Sequence, residues 1–187
     1  MKFAMSFNII RDRQTHQAHV VMGCEVMGGK SDERFALSLI TNMLGGPAMS
    51  ARLNQSLREK TGLVYTVEAN LGLYPDRGLW TVYFGCDVED VERCQQLVKR
   101  EIQKFTDKPL SEKALKAAVK QYCGQILIAE QNVENHILAV AKSYAYYNEK
   151  RDVNVLIRRL KSLTSAEIQT VARKYLKVEG LSVLVYR

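Results

Sequence analysis

The sequence predicts a two-layer α+β domain, an antiparallel or mixed sheet packed by helices. Three observations carry that expectation. Apolar residues alternate with a mostly polar set over residues 63–73, which is the period of a half-buried strand. From residue 87 onward the apolar period becomes helical. Glycine and proline clusters separate the segments, and one of them joins two strand-like runs as a hairpin turn.

The elements follow in chain order. Gln17 to Met27 reads as a strand that Gly28-Gly29 breaks, after a lead-in or linker at residues 1–13. Ser31 is placed to cap a helix with Asp32 and Glu33 in its first turn, because anions are favoured at a helix N-terminus. Phe35, Ala36, Leu39, Ile40, Met43 and Leu44 form its apolar stripe, and Gly45-Gly46-Pro47 ends it. A shorter helix is predicted from about Ser50 to Lys60, with Gly62 as its stop. Leu63, Tyr65, Val67, Ala69, Leu71 and Leu73 then mark one face of a strand, and Tyr74 to Gly78 turns into a second strand, Leu79 to Cys86. Asp87 is a capping candidate for the next helix, and further helices are predicted behind Ser111, over Asn132 to Tyr147 and around Val153 to Leu160. Thr164 with Glu167 forms a capping box, and Leu181 to Tyr186 closes the chain as a strand. All 187 residues are read as a single domain.

Composition narrows the classes. No run of 18 apolar residues spans a membrane, and the opening residues have no signal-peptide cleavage pattern, so a cytoplasmic protein is expected unless an export signal lies outside the chain. Cys24, Cys86, Cys94 and Cys123 make no CxxC pair and read as small buried hydrophobes in a reducing compartment. Residues 1–87 carry nine Lys/Arg against eight Asp/Glu, whereas residues 88–187 carry eighteen against twelve. That excess alternates with glutamates along helices, as on solvated faces, which argues against nucleic acid as a partner.

Candidate chemistry is sparse. His16 and His19 are three apart, an odd spacing that sends strand side chains to opposite faces, and HxxEH and HExxH are both missing. No metal is therefore expected in this chain. Gly28-Gly29-Lys30-Ser31 lies where a phosphate loop belongs, but G-x-x-x-x-G-K-S/T needs glycine where Cys24 stands. A basic nucleotide- or nucleic-acid-binding domain is the weakest of the functional alternatives.

One constellation stands apart. Arg58 ends a helix and Tyr65 lies in the following strand, across the Gly62 turn, so a guanidinium and a phenol can share one rim. Each has a plainer reading, Tyr65 as a core residue beside Leu63 and Val67, Arg58 as a last-turn cation favoured by the helix dipole. The run LGG-x-x-x-S-x-R-L (Leu44 to Leu53) and the run LREK-x-GL-x-Y (Leu57 to Tyr65) resemble the zinc-free second half of the pitrilysin/insulinase family of zinc metallopeptidases, which includes mitochondrial processing peptidase. The resemblance extends through Asp76-Arg77-Gly78-Leu79 and Leu163-Thr164 to Ala172-Arg173-Lys174-Tyr175-Leu176, and covers about residues 14–187.

That resemblance implies a machine of two halves. One carries HxxEH and a distant Glu, and holds the zinc and a general base. The other, of the same fold, closes over the peptide and supplies an Arg–Tyr pair, which Arg58 and Tyr65 match. The implied role is a substrate-clamping half with no activity alone. Its partners would be a peptide and a homologous zinc-bearing half, in the same polypeptide or a separate subunit. An inactive scaffold subunit of the same fold is the alternative.

Overall fold

The structure, a computed structural model, describes residues 6–187. Five strands form one mixed sheet in the order β1-β5-β2-β4-β3. They are β1 (Asn8–Arg11), β2 (Ala18–Met27), β3 (Val64–Leu73), β4 (Arg77–Cys86) and β5 (Ser182–Tyr186). β1 runs parallel to β5, and every other pairing is antiparallel. The lead-in expected at residues 1–13 therefore holds an edge strand, and its first five residues lie outside those described.

Alternation puts one face of β2 and β4 into the core. Val20 sits opposite Phe84 and Met22 opposite Val82, and all four are fully buried. Beside them Trp80 is enclosed, and its indole N–H donates to Thr41 Oγ1 at 3.1 Å, so the one polar atom of the ring is satisfied.

The covering layer holds α1 (Arg34–Gly45), α2 (Val91–Asp107), α3 (Glu112–Glu130), α4 (Val133–Tyr147), α5 (Val153–Lys161) and α6 (Ser165–Tyr175). α1 packs on β3 and meets α3, α5 and α6. Capping explains several boundaries: Ser111 accepts from Ala114 N, Asn132 from Asn135 N, and the Thr164–Glu167 capping box is closed in both directions. Ser31 does not cap α1. The helix begins three residues later, and the Ser31 hydroxyl instead accepts from Glu33 N across the preceding turn.

The displaced start leaves Asp32 and Glu33 free to tie α1 to the end of the chain. Arg159 bridges Asp32 and Glu167, while Glu33 accepts from Lys174 and from the Tyr175 hydroxyl at 2.8 and 2.6 Å. Burial pushes the Glu33 carboxyl up, but the Lys174 and Tyr175 hydrogen bonds outweigh it and hold it below the ordinary value of 4.5. A carboxylate depressed in the folded state adds stability above its unfolded value and loses it as pH falls through the folded one. Melting temperatures taken from neutral pH down to about pH 3 are thus expected to fall below pH 4.5, and Glu33→Gln to flatten that fall. An identical acid profile in the variant would remove Glu33 as a contributor.

Candidate functional site

The site is built from the glycine run outward. A Cβ on Gly45 would lie 2.4 Å from the backbone nitrogen of Ala69, so the last turn of α1 presses directly on β3. The chain then enters a turn at Asn54–Glu59 whose bonds are one residue longer than α-helical: Lys60 N reaches Gln55 O at 3.1 Å. The α-helix expected over Ser50 to Lys60 is thus a π-turn, a form that apolar spacing does not encode. It buries Leu57 and leaves Arg58 exposed. Gly62 has φ +64°, and Leu63 N returns to Leu57 O, closing the left-handed C-terminal stop that glycine tolerates.

Tyr65 departs from the alternation. Between Val64 and Thr66 the register against β4 shifts, a β-bulge that leaves Tyr65 unpaired. Val64 is consequently buried at 4% exposure, while Tyr65 is 56% exposed. The reading of Tyr65 as a core residue in line with Leu63 and Val67 does not hold. Its hydroxyl donates to Asp87 Oδ1 at 2.8 Å. That hydrogen bond and the charge of Asp87 raise the phenol further above its ordinary value of 10.0, so it stays a protonated donor at neutral pH. Asp87 itself does not cap the helix after β4; it starts a short 3-10 turn without a side-chain cap bond. Sequence spacing hid this partner, because only the hairpin brings positions 22 apart together.

Arg58 lines a groove of about 330 Å³ with Gly45, Asn54, Thr66, Glu68 and Asn70. Its wall on one side is β3, whose outer edge pairs with no strand among the described residues. Among the described residues the guanidinium has no ion-pair partner. Tyr65 adjoins the groove residue Thr66 in the chain, and no hydrogen bond joins it to Arg58. The pair therefore offers an uncommitted cation and a phenol held by an exchangeable acceptor.

The other candidates resolve into structural roles. A Cβ on Gly28 would strike the backbone of Asp76, and one on Gly29 would meet the Tyr147 hydroxyl, so both glycines serve close packing rather than a phosphate cradle. His19 bonds Tyr83, and His136 pairs with Glu130. Among the described residues no group of three or more His, Cys, Asp or Glu could hold a metal ion. The four cysteines are free thiols. Burial pushes Cys24 up to about 12, which makes it inert as a nucleophile. Among the described residues no helix is long and apolar enough to cross a membrane.

Comparison with known proteins gives a consistent picture. Residues 3–122 match the family described as the peptidase M16 inactive domain. An uncharacterized zinc protease of Streptomyces coelicolor is 30% identical over 88% of the chain and 36% of its own length. The solved M16 inactive-domain protein of Pseudomonas fluorescens superposes with a TM-score of 0.85 at 19% identity, over 99% of the chain and 44% of its own. A protease of Helicobacter pylori superposes at 0.86 and 14% identity, over 98% and 44%. The chain thus spans less than half the length of each of these proteins.

Proposed function

The chain belongs to the peptidase M16 inactive-domain family, within the pitrilysin/insulinase metallopeptidases, and from that premise we propose that it is the non-catalytic, substrate-clamping half of a zinc metalloendopeptidase. The zinc and the general base belong in this reading to a homologous half that carries HxxEH. The supporting observation is the bulge at Tyr65. A tyrosine that the strand pattern would bury is turned outward, next in the chain to Thr66 of the groove that Arg58 lines. Such an arrangement costs ladder hydrogen bonds and apolar burial, and a clamp gives it a use.

Tyr65 and Arg58 would work in different ways. The zinc of the other half would supply the activation for attack on a peptide carbonyl, and a phenol O–H aimed at the carbonyl oxygen, where negative charge grows, stabilises the transition state more than the substrate. To reach it, the Tyr65 hydroxyl exchanges Asp87 for the substrate oxygen. Arg58, already a full charge, can grip a carbonyl or carboxylate of the peptide before reaction. The free thiols of the four cysteines favour a reducing, cytoplasmic compartment.

The isolated chain is expected to hold no stoichiometric zinc and to hydrolyse no peptide, whereas its complex with an HxxEH-bearing half does both. Metal analysis and hydrolysis of a fluorogenic peptide on the two preparations are the checks. One zinc per isolated chain, with chelator-sensitive activity, would contradict the division of labour. A complex that holds zinc and cleaves nothing would favour a scaffold.

A further inference from the structure

One face of α4 is apolar, and among the described residues no element covers it. None of the fifteen residues of α4 is fully buried. Val133 and Ile137 are 71% and 59% exposed, and Tyr144 lies on the same side two turns further along. Leu127 and Ile128 at the end of α3 are also exposed, Ile128 to 70%, and Leu138 flanks the stripe. Together they present apolar surface on the order of several hundred Å², the size at which a patch on a folded chain marks an interaction site.

Charge says what kind of partner fits. From residue 121 to residue 141 there is no lysine or arginine and only two acids, Glu130 and Glu134, although the half of the chain around them is strongly basic. Both depletions are what the core of a protein–protein interface shows. A helix that lies on a membrane would instead line its polar face with cations. The relatives offer a candidate of that chemistry, since more than half of their length lies outside the part that this chain matches.

We propose that the outer face of α4, with the end of α3, is the docking surface for the zinc-bearing half. This rests on the two-half reading and names the surface that joins the halves. It also gives α4 its missing core, since the apolar stripe becomes buried only in the assembled protein.

The test places a photo-crosslinking amino acid at Ile137 of the chain in its native cells and sequences what is captured. The expected crosslink is to a peptide of an HxxEH-bearing half, in the same polypeptide or in another, and Val133→Glu with Ile137→Glu should lower its yield at least tenfold. These positions are exposed, so the melting temperature of the purified double variant should stay at the wild-type value. A crosslink to a second copy of this domain, a crosslink to lipid, no crosslink within or between polypeptides, or an undiminished yield with the double variant would each overturn the surface. The clamp is scored separately by turnover of Tyr65→Phe in the isolated complex. Capture with unaffected turnover leaves the surface standing and removes the clamp, and slowed turnover without capture does the reverse.

Discussion

Tyr65→Phe is expected to lower kcat of the assembled peptidase by on the order of 100-fold, the usual loss when one oxyanion donor is removed. Folding should be almost untouched, because the ring is exposed and only its bond to Asp87 is lost. KM should change little, because the donor acts on charge that develops during reaction. Arg58→Ala should show the complementary pattern, with KM raised, since a guanidinium that grips the peptide does so in the ground state as well. Steady-state kinetics of both variants in the assembled enzyme separate these roles. Wild-type turnover in Tyr65→Phe would leave the bulge without its catalytic purpose.

Trp80→Ala is expected to cost about 3–5 kcal/mol of stability, the range for removing a large aromatic from a closed core. Trp80 is fully enclosed at the centre of β4, and its N–H is the donor to Thr41 Oγ1. That hydroxyl still donates to Leu37 O at 2.7 Å, so the main damage is the cavity rather than an orphaned polar atom. For a chain of this size each kcal/mol is worth roughly 2–4 °C, so the melting temperature should fall by about 10 °C. Trp80→Phe should recover part of the loss. A thermal melt that moves by only a degree or two in the alanine variant would mean that the core closes over the gap.

Most of the fold was legible because its signals are local. β2, β4 and the hairpin between β3 and β4 follow from alternation and the Tyr74 to Gly78 turn, and the start of α6 follows from the Thr164 and Glu167 side chains. What escaped depends on partners distant in sequence. β1 is four residues long and exists only through parallel pairing with β5 at the other end of the chain. The bulge at Tyr65 is a matter of register against β4, and no pattern within residues 63–73 announces it. Arg58 and Tyr65 themselves were found through a motif, not through periodicity. Asp87 was misassigned because a carboxylate between a strand and a helix looks like a cap, and only the structure shows it holding the phenol. For α4 the spacing gave the helix correctly and was silent on what covers its outer face.

Binding of a phosphinic peptide, a tetrahedral mimic of the attacked carbonyl, tests the clamp most directly. Transition-state support predicts that Tyr65→Phe weakens binding of this mimic by about the same factor as it lowers kcat/KM, on the order of 100-fold. Affinity for the uncleaved peptide should stay at the wild-type value. Equal affinity of wild type and variant for the phosphinic peptide would contradict the role assigned to Tyr65.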